Sequence, residues 1–268
     1  MADVIVTYYS RRIGYLRALV VIHGLSLVPL GLLALVVDPP ESVTTGSVLS
    51  AAALGPVAVV AYIGFYKALE LGPISIVSPM VSAFGAVVVL LALVVLGDSL
   101  TEVQAIGCVV VLSCVLVASI ETSGSDHAGA TGIALSLVAC FAFGLYLFLQ
   151  GQLADELGWV LPILVSRIAA VLMLCPLLVL MPGPEPRPAL GVAGVAGCAA
   201  TGALEASAYL FFNRGAELGE IALTGAAVSA YPVIPILVGL FALRERVARH
   251  QLVGVAGVLA GMVLLSLG

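Results

Sequence analysis

One carboxylate, Glu205, stands inside a long apolar segment of the sequence, TGALEASAYLFF. Ionisable side chains are costly in the hydrocarbon of a bilayer, so one found there is a candidate for function. A carboxylate away from water resists ionisation, which suits proton coupling or the binding of an amine. The alternative is a structural hydrogen bond to a neighbouring helix. Tyr209 follows four residues later on the same helical face, and Tyr62 occupies the equivalent place in an earlier, similar segment.

Four further polar side chains are candidates for the same pathway. His23 lies within the apolar segment ALVVIHGLSLVPL, where it could relay protons, contact a substrate or act as a structural donor. Arg167 lies near the start of another apolar segment, where it could bind an anionic group or extend to the headgroups. Ser82 and Ser229 could bridge helices or face a cavity. The predicted substrate or proton pathway thus contains Glu205, Tyr209, Tyr62, His23, Arg167, Ser82 and Ser229.

Other chemistries lack the residues they require. The five cysteines all lie in apolar runs and form no CxxC pair, so we expect neither a metal site nor a disulfide framework. His23, His127 and His250 are far apart, and neither a GxSxG nor an HExxH motif is present. We therefore expect no cofactor and no enzymatic activity. No cluster of Lys and Arg alternates with aromatic residues, so we expect no nucleic-acid partner.

The composition indicates the environment of the chain. Of its 268 residues 62% are hydrophobic and only 9% are charged, and the mean hydropathy is +1.24. Soluble domains carry about 25% charged residues, so this sequence could not form a water-facing surface. Continuously apolar runs of about 18 residues or more can cross a bilayer as helices, whereas a membrane β-barrel would alternate in period two. The sequence predicts an all-α polytopic membrane protein.

Charged residues, Pro and Gly divide the chain into nine candidate spans. These are 13–37, 46–69, 74–97, 102–121, 131–152, 160–181, 189–213, 221–243 and 250–267. The pairs SP at 78–79 and YPVIP at 231–235 should break or kink their helices.

The sequence contains an internal duplication. AYIGFYKALELG begins at Ala61 and AYLFFNRGAELG at Ala208, and residues 61–121 align with 208–268 at an offset of 147 without a gap. Of these 61 positions 18 are identical, including polar, Gly and Tyr positions that apolar bias alone would not match. Such self-similarity at a fixed offset indicates two copies of one structural unit.

The two copies differ in their number of predicted spans. We expect a first repeat at 1–121 with four helices, a linker at 122–130, and a second repeat at 131–268 with five helices. Because YSRRIGYL resembles VSRIAAVL at 165–172, span 13–37 matches the second helix of a repeat, with Arg11 or Arg12 at the place of Arg167. The first helix of the first copy would then lie before Met1. Either the start codon is assigned too late, or the chain is a truncated or naturally nine-helix variant.

An odd number of helices per copy places the copies in opposite orientations, which is typical of secondary transporters. The segments KALELGPISIVSPMVSAFG and RGAELGEIALTGAAVSAYP, each followed by an acidic residue and a QxxG sequence, resemble EamA-type transporters of the drug/metabolite transporter superfamily. This resemblance implies ten helices in two inverted halves, a bacterial inner-membrane location and movement of small metabolites, with amino acids or related compounds as candidates. The bilayer and a small-molecule substrate, with protons as a candidate coupling ion, are the expected partners.

Two other classes of protein stay open as alternatives. One is a non-transporting or degenerate membrane subunit, and the other is a polytopic membrane enzyme. Orientation is also open: one face carries most of the basic residues, which makes it cytoplasmic and places Gly268 outside, whereas the resembling family has its C-terminus in the cytoplasm. The face in question carries Arg11, Arg12, Arg17, Lys67, Arg187, Arg244, Arg246 and Arg249, and the other carries Arg167 and Arg214.

Overall fold

The computed structural model describes residues 2–37, 40, 42–72, 74–97, 100–118, 130–181, 190–219 and 221–228, and scattered positions between 250 and 264. All regular secondary structure in these ranges is helical. The helices are α1 (Ala2–Ile13), α2 (Tyr15–Ala34), α3 (Thr45–Leu71), α4 (Ile74–Ser82), α5 (Phe84–Leu91), α6 (Glu102–Ala118), α7 (Ala130–Leu157), α8 (Leu161–Leu180), α9 (Val192–Leu218) and α10 (Ile221–Val228).

Five of the described helices, α2, α3, α7, α8 and α9, are long and apolar enough to cross a membrane. They are apolar on most faces, as expected for helices that contact either lipid or other helices all round. The prediction of an all-α polytopic membrane protein is confirmed.

The predicted span 13–37 differs from the structure at its start. Residues 2–12 lie outside the predicted spans, yet together with Ile13 they form α1, and Gly14 with φ of 90° separates α1 from α2. This left-handed conformation favours glycine. Hydropathy did not identify α1 because Asp3, Arg11 and Arg12 interrupt its apolar residues. In the fold α1 packs on α9 as α7 packs on α3.

The predicted span 74–97 is divided. Its helix ends at Ser82, and α5 begins at Phe84 and continues into a π-helical turn at Ala92–Leu96. The Ser82 hydroxyl donates to the carbonyl of Ser78 at 2.6 Å, a bond that tends to bend helices. The break that SP at 78–79 predicted therefore occurs at Ala83, while YPVIP at 231–235 lies outside the described residues.

Matching helix bounds follow the duplication. Helices α3 and α9 have 27 residues each, and both their ends differ by the offset of 147. Helix α3 packs on α8, and reciprocally α9 packs on α2. A Cβ at Gly55 would lie 2.6 Å from Ala169 Cβ, and one at the equivalent Gly202 would lie 2.5 Å from the Ile22 carbonyl oxygen. The same small residue thus permits close helix contact at both reciprocal crossings.

The two copies are inverted relative to each other. The Tyr62 hydroxyl donates to the Tyr209 hydroxyl at 3.0 Å, and the Tyr66 hydroxyl donates to Glu205 Oε1 at 3.0 Å. One turn forward on α3 therefore corresponds to one turn backward on α9, so these equivalent helices run antiparallel. Contact of Tyr62 with its own equivalent, Tyr209, is what an approximate two-fold axis at this point produces.

Candidate functional site

Arg167 is the most buried charged side chain near this axis. Helix α8 holds it with a side-chain exposure of 1%. Its Nη1 donates to Ser26 Oγ on α2 at 3.0 Å, and its Nη2 donates to the Tyr62 hydroxyl on α3 at 3.1 Å. The guanidinium carbon also lies 5.7 Å from the centre of the Tyr209 ring, within the range of a cation–π interaction. Arg167 therefore contacts three helices besides its own.

Glu205 supplies the opposite charge. Its Oε2 lies 3.9 Å from Arg167 Nη1, and its Oε1 accepts the hydrogen bond from Tyr66. The Glu205 side chain is 14% exposed, so it is the more accessible member of the pair. An ion pair this long is held by charge more than by a direct hydrogen bond, because charged N–H···O bonds are about 2.7–2.9 Å long.

Aromatic rings enclose the ion pair. The His23 ring packs edge to face against the Tyr62 ring with 4.2 Å between centroids, and the Tyr146 and Tyr209 rings are 5.6 Å apart. His23 is 1% exposed, and neither of its ring nitrogens has a hydrogen-bond partner among the described residues. A ligand that enters this cluster would meet one cation, one anion, several phenols and an imidazole.

A second, uncharged network adjoins the ion pair on α7, α8 and α9. The Gln150 Nε2 donates to Ser166 Oγ at 2.8 Å, and Ser166 Oγ is 2.9 Å from the Tyr146 hydroxyl. Asn213 Nδ2 donates to Gln150 Oε1 at 3.2 Å and to the Trp159 carbonyl at 3.3 Å. Ser166 precedes Arg167 on α8, so this network positions the helix that carries the cation.

A family model described as the EamA-like transporter family matches residues 2–120 and again 130–267. The chain belongs to this family. A solved crystal structure, described only as "Crystal structure of protein", has the same fold with a TM-score of 0.69 and 13% identity. The match covers 99% of this chain and 95% of that one. No curated protein sequence matches the chain. Membership makes this EamA-like protein a transporter of small molecules and supports the prediction that it is not an enzyme.

The predicted site residues of this EamA-like chain have different places in the fold. Glu205, Tyr209, Tyr62, His23 and Arg167 come together in one cluster, which we call the central cluster. The structure places Ser82 at the end of α4, where its hydroxyl binds the Ser78 carbonyl. Ser229 lies outside the described residues.

The predicted match of Arg11 or Arg12 with Arg167 is wrong in the structure. Arg11 Nε and Nη2 donate to the carbonyls of Leu69 and Gly72, so Arg11 caps the end of α3. Arg12 Nη1 donates to the exposed Tyr8 hydroxyl. Both arginines lie on α1, which occupies the place of α7, whereas Arg167 lies on α8. The resemblance of YSRRIGYL to VSRIAAVL extends across Gly14, where α1 ends and α2 begins, and the sequence alone does not reveal that boundary.

Sequence reasoning missed several members of the EamA-like site. Tyr66, Ser26, Tyr146, Gln150 and Ser166 all contact the predicted residues or one another. Asn213 is fully buried beside them. The signal for Tyr66 and Asn213 was present, because each follows a predicted tyrosine by one helical turn. The phenols of Tyr66 and Tyr146 could not be distinguished from packing residues.

Two ion pairs occupy equivalent positions in the two EamA-like repeats. Lys67 Nζ lies 2.9 Å from Glu70, and the equivalent Arg214 Nη1 lies 2.6 Å from Glu217. They lie at opposite ends of the bundle because α3 and α9 are antiparallel. We call the end with Arg11, Arg12, Arg17 and Lys67 the basic end. At the opposite end a cavity of about 210 Å³ is lined by Leu157–Leu161, Ala34, Val37, Pro40, Arg214 and Glu217.

A second cavity of about 300 Å³ lies at the basic end, lined by Tyr8, Tyr9, Arg12, Ile13, Leu190, Gly191, Ala193 and Gly194. Neither of these two cavities is lined by Arg167 or Glu205. Among the described residues no group of three or more His, Cys, Asp or Glu could hold a metal ion, and the five cysteines are free thiols.

Proposed function

We propose that this chain is a secondary active transporter that moves small metabolites across the cytoplasmic membrane of a bacterium by alternating access. The observation that carries the proposal is the buried Arg167–Glu205 ion pair at the contact between the inverted copies. Secondary transporters with inverted repeats bind substrate near the midplane at the repeat interface. Charges buried at that depth are costly, so their presence there indicates a function.

Amino acids fit the chemistry of the central cluster. The Arg167 guanidinium suits a carboxylate, and the Glu205 carboxylate suits an amine. The two groups are 3.9 Å apart, so an amino acid that inserts between them replaces one internal ion pair by two ion pairs to the substrate. The unpartnered nitrogens of His23 offer one donor and one acceptor beside Tyr62.

Proton coupling also fits Glu205. Its side chain is partly exposed, whereas that of Arg167 is not, so Glu205 is the group that can exchange a proton with water. A guanidinium keeps its charge in proteins. A proton on Glu205 would weaken the attraction to Arg167, and that change couples protonation to the packing of α8 against α9.

The test is transport by the purified protein in liposomes, with a panel of radiolabelled amino acids and an imposed proton gradient. We expect the wild type to accumulate at least one of them, and Glu205→Gln to lose gradient-driven accumulation. Glu217→Gln is the matched control, because Glu217 forms an ion pair at the bundle end. Accumulation by Glu205→Gln equal to that of the wild type would refute the coupling role. Absence of all transport by a folded wild type would favour the non-transporting subunit instead.

A further inference from the structure

We propose that Asn213 and Gln150 form a second binding site, which accepts a hydrogen bond from an N–H or O–H group of the substrate beyond its α-amino and carboxylate groups. This inference rests on the proposed transport of amino acids. We call the pair the amide site. Both side chains are fully buried, and the transport mechanism above does not use them.

The donors of the amide site are all occupied. Gln150 Nε2 donates to the Pro162 carbonyl at 3.1 Å and to Ser166 Oγ, while Asn213 Nδ2 donates to Gln150 Oε1 and to the Trp159 carbonyl. Because backbone carbonyls can only accept, these contacts fix which end of each amide is nitrogen. Each nitrogen then has both its hydrogens bound.

One acceptor is left over. Asn213 Oδ1 is buried and has no hydrogen-bond partner among the described residues. A buried polar atom without a partner carries a free-energy cost, so such an atom in a folded protein calls for an explanation. An oxygen acceptor repels carbonyl and carboxylate groups. The group that completes Asn213 is therefore a donor: a hydroxyl, an amide N–H, an ammonium or a water molecule.

The position of Asn213 connects the central cluster to a cavity. Glu205, Tyr209 and Asn213 follow one another at intervals of four residues on one face of α9, which spans about 12 Å from the first to the last. Trp159, whose carbonyl binds Asn213, lines the cavity of about 210 Å³ at the end opposite the basic end. A solute that moves between that cavity and Arg167 passes the amide site.

The duplication supports a functional reason for these amides. The equivalent of Asn213 is Tyr66, whose hydroxyl binds Glu205, and the equivalent of Glu205 is Ala58. The two-fold relation therefore pairs position 213 with position 58, where Ala58 has no polar side chain to offer. In one pair of equivalent positions Glu205 accepts the hydrogen bond of Tyr66. In the other pair Ala58 offers no partner to Asn213, and that partner is left for a ligand to supply.

The isosteric amino acids L-threonine and L-valine test the inference, because they differ by a hydroxyl in place of a methyl group. Trp159 is the only tryptophan of the chain, so its fluorescence can report binding by the purified full-length protein. We expect the wild type to bind threonine about fivefold more tightly than valine, the scale of one buried neutral hydrogen bond. The variant Asn213→Leu should retain valine binding and bring the two affinities within twofold of each other.

If Asn213→Leu does not fold, the double variant Gln150→Leu/Asn213→Leu replaces it. The double variant should fold more readily, because removing both partners of a hydrogen bond is tolerated better than removing one. It should lose the preference for threonine over valine in the same way. Equal affinities in the wild type, or a preference unchanged in the variants, would show that Asn213 holds only a water molecule and would overturn the amide site alone. Binding of neither amino acid by the folded wild type would overturn the amino-acid substrate together with the amide site.

Discussion

Removal of the Glu205 charge should destabilise the protein through Arg167. In Glu205→Gln the side-chain oxygen can still accept the hydrogen bond from Tyr66, so the main change is the loss of the negative charge 3.9 Å from Arg167 Nη1. Arg167 is 1% exposed and cannot release its proton. The variant therefore contains a buried cation whose remaining described partners, Ser26 Oγ and the Tyr62 hydroxyl, are neutral.

The magnitude follows from the separation of the charges. Two unit charges 3.9 Å apart in a medium with an effective dielectric constant of about 20 attract each other by about 4 kcal/mol. Loss of one partner of a buried ion pair costs about 3–5 kcal/mol, because the other charge is left uncompensated. Since Glu205 is 14% exposed rather than fully buried, we expect the lower value, about 3 kcal/mol, for the loss in free energy of unfolding.

Reversible unfolding in SDS-containing mixed micelles measures this loss, with helicity followed by circular dichroism. The variant Arg167→Met/Glu205→Gln removes both charges and should recover most of the stability, as apolar replacements of buried ion pairs do elsewhere. Glu217→Gln should cost less than about 1 kcal/mol, because its partner Arg214 is 48% exposed. The losses of stability in Arg167→Met and in Glu205→Gln are compared with the loss in the double variant. If the double variant loses as much as the two single variants added together, the charges do not interact and the reasoning is refuted.

Two further predictions concern helix contacts. Gly202→Ala should destabilise the protein by about 1–3 kcal/mol in the same assay, because its Cβ would lie 2.5 Å from the Ile22 carbonyl oxygen. Gly31→Ala is the control and should be neutral or stabilising, because nothing lies within 4 Å of its Cβ. Equal effects of the two substitutions would contradict the close α2–α9 contact. Arg11→Ala should lower the free energy of unfolding by about 1–2 kcal/mol, because the carbonyls of Leu69 and Gly72 lose their donor. Arg12→Ala loses only an exposed hydrogen bond to Tyr8 and should change that free energy by less than about 0.5 kcal/mol. A larger loss for Arg12→Ala than for Arg11→Ala would argue against the cap.

Composition and the duplication were sufficient to predict most of the fold in the part of the chain that the structure describes. Hydrophobicity identified the five long helices because each must be apolar over its full length to cross a bilayer. It did not identify α1, whose twelve residues include Asp3, Arg11 and Arg12, nor the break at Ala83, which depends on a local hydrogen bond. Both depend on a few specific contacts rather than on average hydropathy.

The candidate site was partly predictable for a related reason. Glu205, Arg167 and His23 stand out because ionisable residues are rare in apolar segments. Ser26, Tyr66 and Tyr146 carry polar groups that occur in lipid-facing and buried helices alike. Their inclusion in the cluster depends on which faces of α2, α3 and α7 meet, and the sequence of one chain does not determine those faces.

The two-fold relation explains which positions the two copies share and which they do not. A residue on the axis contacts its own equivalent, so Tyr62 and Tyr209 form one hydrogen bond in which each copy needs the same phenol. A residue one turn from the axis contacts a different residue: Glu205 meets Tyr66, and the equivalent positions are held by Ala58 and Asn213. Off-axis pairs can therefore change independently in the two copies, and there the chain carries a carboxylate on one side of the axis and an amide on the other.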